Sequence, residues 1–223
     1  MSFSSLRMKF VKTIYGDHNS SINVKRALKK CLSKLGTEEF GLNVGAGLTN
    51  VDERIRNLDI FPGQHIFYVA KAESIPEKDN FFALVITQEV LEHVQDPFKA
   101  ISEIYRVMKP GGILYCQLPF IIGYHPGPTD YWRFTKEGIS ELITRTGFSI
   151  IEINISVGTA SGFYRIFVEF LAILISIPLP FLYIPFKAFF SLLFYPIKLL
   201  DFLFKFSKQK DRIPGGYYII AQK

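Results

Sequence analysis

The segment at residues 81–119 constrains this chain most, because it has the pattern of a strand, a helix and a second strand. Residues 83–87 form a short apolar run rich in β-branched side chains, as in a buried strand. Asp96-Pro97 marks a helix start, since Asp accepts from free backbone N–H groups and Pro loses no hydrogen bond there. Pro110-Gly111-Gly112 marks the helix end, and residues 113–118 form the second strand. Such a unit pairs its strands in parallel through a right-handed crossover, which predicts an α/β fold.

Two details of this segment bear on its helix and on its ligand. The spacing puts Met108 on the apolar face of the helix, and Lys109 at the helix end suits the negative pole of the helix dipole. In parallel α/β sheets, ligands bind beyond the carboxyl ends of the strands. Those ends carry residues 88–93 and 119–130, which are therefore the first candidates for a site.

A second candidate for ligand contact is Gly45-Ala46-Gly47, which follows the predicted first strand at residues 40–44. Glycines at this place let the backbone approach a ligand closely and offer N–H groups to it. Asn50 replaces the third glycine of the dinucleotide fingerprint, and Asp59 follows Gly45 by 14 residues instead of the roughly twenty of that fold. The Asp59 carboxylate can hold a ribose diol, or it is a solvated turn residue. A short helical turn is expected around residues 51–55.

The N-terminal residues 1–39 form a basic segment with one predicted helix, which either lies against the domain or covers the ligand as a lid. The first residues lack the continuous apolar stretch of a signal peptide, so a secretory signal is not expected. Two cysteines indicate a reducing compartment, and their spacing predicts neither a disulfide framework nor a metal site. The net charge of +6 suits an anionic partner, either nucleic acid or anionic lipid.

The loop at residues 123–135 is the candidate acceptor site, because its prolines stiffen it at the ligand end of the sheet. His125 is the candidate catalytic base, since an imidazole titrates near neutral pH. Asp130 either orients His125 or pairs with Arg133. Tyr131 and the neighbouring aromatic residues contact the substrate or anchor the core. His93 faces the same pocket or serves in capping and packing.

Residues 157–212 form an apolar insertion with most of the excess phenylalanine. Residues 170–186 carry no charge, and exposed in water they would form a large apolar patch. A single membrane crossing is excluded, because the strands on both sides belong to one sheet, and prolines and charges interrupt a second crossing. An in-plane or re-entrant hairpin at a membrane surface fits best, with basic residues at the head groups. A dimer interface or a substrate lid is the alternative.

Six motifs occur in order: NVGAG, LDI, VAKAESIP, QEVLEHVQDP, EIYRVMKPGG and HPGPTDYWRFT. Together they resemble the class I S-adenosylmethionine-dependent methyltransferases, in particular a bacterial branch with an H-x-x-P-x-D-Y-x-R-F-T loop. The resemblance implies a Rossmann-like seven-stranded sheet whose last strand is antiparallel, formed by residues 40–156 and 213–223. It implies S-adenosyl-L-methionine as cofactor. The cofactor residues it implies are Asn43, Gly45, Ala46, Gly47, Asp59, Ala72, Glu73 and Gln88.

The chain departs from the family pattern at three positions. Asn43 and Lys71 stand where the family usually has acidic residues, and Ala83 stands where it commonly has Asp. Asn43 supplies no negative charge to the ammonium end of the cofactor. A charged Lys71 cannot accept a hydrogen bond from the adenine amino group. These positions bear on cofactor affinity and activity, and not on the fold.

The leading hypothesis is a cytoplasmic methyltransferase, peripherally bound to the inner face of a membrane, that methylates an oxygen of a lipid-linked glycan or an amphipathic small molecule. The alternative from another class is a catalytically degenerate membrane adaptor on the same scaffold. A nicotinamide-dependent oxidoreductase is disfavoured by the acid spacing and the missing glycine. A nucleic-acid substrate is not expected, because the basic residues are scattered among apolar ones.

Overall fold

The computed structural model describes residues 21–223, so the first part of the N-terminal segment and the expectation about a secretory signal lie outside the described residues. The strands are β1 (Gly41–Val44), β2 (Ile55–Asp59), β3 (Ile66–Val69), β4 (Phe82–Gln88), β5 (Met108–Pro119), β6 (Ser149–Val157) and β7 (Gly216–Gln222). The α-helices are α1 (Ile22–Leu32), α2 (Pro97–Val107), α3 (Lys136–Thr144), α4 (Thr159–Ser176), α5 (Tyr183–Leu193) and α6 (Asp201–Phe204).

The strands form one mixed sheet of seven strands in the order β3-β2-β1-β4-β5-β7-β6. The pairs β1–β2, β1–β4, β2–β3 and β4–β5 are parallel. Backbone hydrogen bonds join Gly111 and Gly112 to Lys223 and join Phe120 to Gly215, so β7 runs antiparallel to β5. The expected Rossmann-like sheet, with the βαβ unit at its centre, is confirmed. The strand order reverses between β1 and β4, which is where α/β sheets bind ligands.

Both faces of the central strands are buried, which explains why they read as continuous apolar runs. On one face, Leu84 and Ile86 of β4 belong to a cluster with Val24, Ala27 and Cys31 of α1. On the other face, Val85 lies in the larger cluster that contains the buried sides of α2 and α3. Helix α1 therefore packs on the sheet, as the first of its two interpretations predicted.

Two local predictions were wrong. Helix α2 begins after Asp96, whose side chain accepts from Lys99 N at 2.9 Å, but it ends at Val107. Met108 is already extended and begins β5, so Lys109 is a strand residue that pairs with Glu39 at 3.3 Å. The cause is the pairing of Phe82 with Met108, which favours strand over another helical turn. Residues 51–54 contain only a turn, because the chain must enter β2 immediately.

The described part of the chain divides into two compact units. One contains most of the sheet, within Asn23–Pro119, Tyr124–Asn154 and Tyr217–Lys223. The other includes Ile155–Gly216 and Phe120–Gly123, and it holds helices α4, α5 and α6. We call the part of this second unit at residues 157–212 the apolar insertion.

Within the apolar insertion, α4 and α5 pack together as a helical hairpin. The Tyr164 hydroxyl, buried on α4, donates to the backbone carbonyl of Ser191 on α5 at 2.7 Å. Glu169 pairs with Lys187 at 2.7 Å and also accepts from the Tyr183 hydroxyl. These contacts satisfy polar groups of the hairpin internally, so its remaining surface is mostly apolar.

Asp201 fixes the start of α4 from a position far along the chain. Its Oδ1 accepts from Ala160 N at 2.7 Å, and its Oδ2 accepts from the Ser161 hydroxyl at 2.6 Å. The cap residue of α4 is Gly158, which has no side chain to satisfy the free N–H groups at the helix start. Asp201 therefore caps the N-terminus of α4 from a distant position in the same chain, and it ties the end of the insertion to its beginning.

We expect Asp201→Ala to lower the stability of the apolar insertion by about 1–2 kcal/mol, the usual cost of losing an N-terminal cap. Thermal unfolding followed by circular dichroism should show a midpoint lower by roughly 3–6 °C. Asp201→Asn keeps one acceptor oxygen and should lose less than half of that. Glu53→Ala, at an exposed position of the other unit, is the control. Equal midpoints for Asp201→Ala and wild type would contradict the capping role.

The surface of the apolar insertion is unusually apolar. Phe181, Ile184, Leu199 and Phe206 are each at least two-thirds exposed, with fractions of 73%, 69%, 68% and 72%. Helix α4 is the one helix among the described residues that is long and apolar enough to cross a membrane, and a third of it is buried within the protein. Monomeric soluble proteins rarely expose contiguous apolar surface on this scale.

Candidate active site

A cavity of about 510 Å³ lies at the carboxyl ends of the first four strands. The residues that follow β1, β2, β3 and β4 line it, together with the loop residues Gly127–Thr129 and Tyr131. Its size falls in the range of about 300–1,000 Å³ that is typical of small-molecule sites. Of the predicted site residues, it brings together Gly45, Gly47, Asp59, Ala72, Glu73, His93 and Tyr131.

Two glycines shape the wall of the cavity after β1. Gly45 and Gly47 have φ values of +66° and +54°, which residues with a Cβ adopt rarely. A Cβ at Gly45 would lie 2.4 Å from Val90 Cγ2, so that position also needs glycine for space. A Cβ at Gly47 would meet no atom within 4 Å, so the backbone there borders open space. The turn leaves room for a ligand to approach the main chain.

Asp59 lies at the end of β2, beside this turn. Its Oδ2 accepts from Gly47 N at 2.8 Å, and its Oδ1 accepts from Phe61 N at 3.0 Å. These bonds hold the carboxylate in the cavity wall while leaving acceptor capacity on both oxygens, since each carboxylate oxygen has two lone pairs. The geometry leaves acceptors for a pair of vicinal hydroxyl donors, while the bond from Phe61 N is the one expected of a turn residue, so both interpretations of Asp59 remain open.

The far side of the cavity is formed by the residues after β3. Ala72 is buried and Glu73 is half-buried, and both line the cavity. Lys71 also lines it, but its side chain is largely exposed and does not fill the space. Of the three departures from the family pattern, Lys71 is the one that borders the cavity. Asn43 and Ala83 are not among the lining residues.

Three other predicted cofactor residues do not reach the cavity. Asn43 is buried in β1, and its side-chain amide donates to Asn57 Oδ1 at 3.2 Å. Ala46 is buried, with its N–H donating to Leu58 O. Gln88 bonds to the side chain of Gln117 at 3.3 Å. Their assignment to the cofactor site stays a prediction. From these positions they can only support the residues that line the cavity.

The loop after β5 is tied to the loop after β4 by several hydrogen bonds. The backbone carbonyl of Glu92 accepts from Tyr131 N at 2.7 Å and from Trp132 N at 3.2 Å. The Thr129 hydroxyl donates to His93 O at 2.9 Å, and the Trp132 indole donates to Val94 O at 3.0 Å. These bonds bring the predicted acceptor loop to the cavity. They also leave Tyr131 and Trp132 on the surface and not in the core.

His93 is held in one orientation by this loop. Its Nδ1 lies 2.5 Å from the carbonyl oxygen of Thr129. A carbonyl oxygen only accepts, so Nδ1 carries a proton, and in the neutral ring the lone pair is then on Nε2. Nε2 lies on the side of Glu92, 3.6 Å from its Oε1.

His125, the predicted base, does not line the cavity but lies directly behind His93. The two rings are 5.2 Å apart between centroids, and His125 Nε2 is 3.8 Å from Glu92 Oε1. Arg133 forms two hydrogen bonds to the Asp130 carboxylate, at 2.5 and 2.7 Å, and a third to His125 Nδ1 at 3.2 Å. Hydrogen bonding to Arg133 lowers the pKa of Asp130 to about 2. Asp130 therefore pairs with Arg133, and its role in orienting His125, whose Nδ1 is 3.5 Å away, stays a prediction.

Glu92 is the site residue that sequence reasoning missed. It is completely buried, and neither oxygen of its carboxylate has a hydrogen-bond partner within the described part of the chain. Burial raises the pKa of Glu92 to about 7. Burying a carboxyl group without a partner costs free energy, because buried charges are normally paired or bound to a metal. Such a group therefore suggests a functional role. The signal available beforehand was its position next to His93 at the end of a parallel strand.

Residues 25–116 match the protein family described as "Methyltransferase domain". This part of the chain is therefore similar to methyltransferase domains, as the motifs indicated. The domain match supports S-adenosyl-L-methionine as the cofactor, which is the cofactor that the resemblance implied.

The relatives match over limited stretches. An uncharacterized methyltransferase from Schizosaccharomyces pombe is 32% identical over 88 residues, 38% of this chain and 32% of that protein. The ubiquinone/menaquinone biosynthesis C-methyltransferase UbiE from Klebsiella pneumoniae is 40% identical over 100 residues, 44% of this chain and 39% of that protein. The chain therefore aligns with less than half the length of either relative.

The fold extends further than the sequence similarity. The solved structure of phosphoethanolamine N-methyltransferase 2 from Haemonchus contortus, in complex with phosphomonomethylethanolamine and S-adenosylhomocysteine, has a TM-score of 0.52 and 18% sequence identity. The match covers 99% of this chain and 58% of that one. At this identity the likeness concerns the fold alone.

The residues of the cavity fit S-adenosyl-L-methionine. The turn at Gly45 and Gly47 offers the close backbone approach that its methionine part requires, and Asp59 offers acceptors for its ribose hydroxyls. The apolar groups at Leu58, Ala70 and Ala72 can contact the faces of its adenine ring. Gly45, Gly47, Asp59, Ala72 and Glu73 are the residues that would hold it.

Proposed function

We propose that this chain is an active methyltransferase, which methylates an oxygen of an amphipathic or lipid-linked acceptor at the inner face of a membrane. The observation that carries the proposal is the open cavity at the sheet switch point, with the Gly45–Gly47 turn and the Asp59 carboxylate in its wall. Lys71 is the one departure from the family pattern that borders this cavity, and it leaves the space open.

S-adenosyl-L-methionine supplies a methyl group on a positively charged sulfur. The chain must hold the acceptor hydroxyl in line with the methyl–sulfur bond that breaks, and it must accept the proton of that hydroxyl. His93 borders the cavity, and His125 and Glu92 lie next to it. This cluster is the place where an acceptor hydroxyl would lose its proton. Asp130 and Arg133 position His125 and do not touch the acceptor.

The amphipathic class of acceptor is supported by the surface of the apolar insertion. Its exposed phenylalanine, isoleucine and leucine side chains suit the acyl region of a membrane. Lys198, Lys205, Lys208 and Lys210, in the same part of the chain, suit anionic head groups. The UbiE relatives act in quinone biosynthesis, and quinones of that kind are themselves apolar. A dimer interface or a lid over substrate remains the alternative use of this surface.

The test is transfer of a radiolabelled methyl group from S-adenosyl-L-methionine to membrane lipids. Purified protein is incubated with vesicles made from a bacterial lipid extract, and the label is followed into the organic phase. We expect label in the lipid fraction, and at least a ~100-fold loss for His93→Ala, in line with the loss of an acid–base group. His65→Ala, at an exposed loop position, is the matched control. Cofactor binding without any transfer to lipid or water-soluble acceptors would support the degenerate adaptor instead.

A further inference from the structure

We propose that Glu92, His93 and His125 form a binding site for a divalent transition-metal ion beside the cofactor cavity. One donor atom from each residue lies within 4.8 Å of the others. The sequence predicted no metal ligands, because the three residues are distant in sequence from any metal-binding pattern and are brought together only by the hydrogen bonds between two loops. This inference rests on the proposed function for its catalytic consequence, but the binding site itself does not.

The first argument is the state of the Glu92 side chain. It is 0% exposed, and neither carboxylate oxygen accepts a hydrogen bond from any described residue. Glu92 Oε1 faces the Nε2 atoms of both histidines, at 3.6 and 3.8 Å. These distances are too long for hydrogen bonds and only slightly longer than the ~3.3 Å between ligand atoms around a tetrahedral ion with bonds of about 2.0–2.1 Å. Small side-chain rotations would complete such a site.

The second argument is the orientation of His93. Its Nδ1–H is fixed on the carbonyl oxygen of Thr129, so the lone pair of Nε2 faces Glu92. A metal-bound histidine typically donates its other ring N–H to a carbonyl or a carboxylate in this way. Thr129 is itself held by the hydrogen bond from its hydroxyl to His93 O. The ring is therefore oriented before any ion arrives.

The third argument concerns His125. Its Nδ1 lies 3.5 Å from the Asp130 carboxylate, and Arg133 also reaches that nitrogen. In this structure Arg133 donates to Nδ1, so Nδ1 is an acceptor. Binding of an ion by Nε2 requires the proton on Nδ1, which would exchange the bond from Arg133 for one donated to the Asp130 carboxylate. Arg133 then keeps its two bonds to Asp130. The result is a carboxylate–histidine–metal arrangement, which is common around bound zinc.

The donor set limits the ion. Two imidazole nitrogens and one carboxylate suit Zn²⁺ and the neighbouring divalent transition metals better than Mg²⁺ or Ca²⁺, which prefer oxygen ligands. Three protein ligands leave at least one position open, as in catalytic zinc sites. Because His93 borders the cavity, that position would take an oxygen of the methyl acceptor. A hydroxyl bound there would be more acidic and would pass its proton to water, so the ion would take the place of a histidine base. The hydroxyl oxygen would then form the bond to the methyl group while the methyl–sulfur bond breaks and the neutral thioether leaves.

The experiment measures Zn²⁺ binding to the full chain after treatment with a chelator, by competition against a chromophoric chelator. We expect one Zn²⁺ per chain in the wild type and in the His65→Ala control, and at least a ~100-fold weaker affinity in Glu92→Gln and in His93→Ala. If Glu92→Gln does not fold, the half-buried His93 carries the test alone. Weak binding in the wild type, or equal binding in wild type and His93→Ala, would overturn the metal site.

Cofactor binding to the same samples, measured by calorimetry, separates the two proposals. Zn²⁺ binding that is lost in His93→Ala, while cofactor affinity stays within about threefold of wild type, supports the metal site. Retained cofactor binding without Zn²⁺ binding overturns only the metal site. Zn²⁺ binding without cofactor binding overturns the proposed methyl transfer and leaves the metal site standing.

Discussion

Replacing Asp59 by Ala should weaken the binding of S-adenosyl-L-methionine by about 100-fold, which corresponds to about 2.7 kcal/mol. Asp59 is the carboxylate in the cavity wall that can accept from two vicinal hydroxyls, and a hydrogen bond to a charged group contributes about 1.5–3 kcal/mol. The substitution also removes the acceptor for Gly47 N and Phe61 N, so the turn after β1 loses its support. Calorimetric titration of the cofactor measures the change.

The controls separate charge from fold. Asp59→Asn keeps the shape and one acceptor oxygen, and should lose only part of the affinity. Asp52→Ala removes a nearby acid that pairs with Arg54 and does not line the cavity, so its cofactor affinity should equal that of the wild type. An Asp59→Ala protein that is folded and binds the cofactor within about threefold of wild type would show that another group holds the ribose.

The second large effect concerns the membrane. Changing Phe181 and Ile184 to Glu should abolish the flotation of the protein with vesicles of phosphatidylcholine and phosphatidylglycerol. Both side chains are mostly exposed in the apolar insertion, and burying each in an apolar phase is worth about 1.5–3 kcal/mol. The double change should therefore reduce the partition coefficient at least ~100-fold. Two carboxylates near anionic head groups add repulsion.

The matched control introduces two glutamates in the unit that contains most of the sheet. Phe67 and Val69 of β3 are also exposed, at 61% and 59%, so Phe67→Glu with Val69→Glu changes charge and apolar area similarly. That variant should float like the wild type. If the wild type itself does not float, the surface of the insertion has another use, and its oligomeric state in detergent-free solution would be the next measurement. Equal loss in both double variants would indicate a general charge effect.

The positions of the cofactor-binding groups were largely accessible from sequence, because they depend on local backbone rules. The Gly45–Gly47 turn and Asp59 follow strands whose apolar runs are visible in the sequence. Parallel strands bring their carboxyl ends to one edge whatever the details of packing. Errors in the fold were local: a short helical turn expected at residues 51–55 is a simple turn, and the strand pairing of Met108 with Phe82 ended α2 early.

The chemistry beside the cofactor was not accessible in the same way. His125 was chosen as the base because it was the one imidazole in its loop, but His93 borders the cavity and His125 lies behind it. Glu92 was not predicted as a site residue, because nothing in the neighbouring sequence shows that its side chain is buried without a hydrogen-bond partner. The N-terminal cap that Asp201 provides to α4 is likewise a contact between residues that are 41 positions apart in the chain.

The sequence by itself predicted the α/β sheet, the glycine turn after β1 and the acid that follows in β2, because these follow from periodicity and from the conformational freedom of a few residues. The tertiary structure alone decided which side chains share the space beyond β4. Hydrogen bonds between two loops, about 36 residues apart, set Glu92, His93 and His125 around a common point. Arrangements of this kind depend on loop conformations that no local pattern encodes, so only the folded chain shows them.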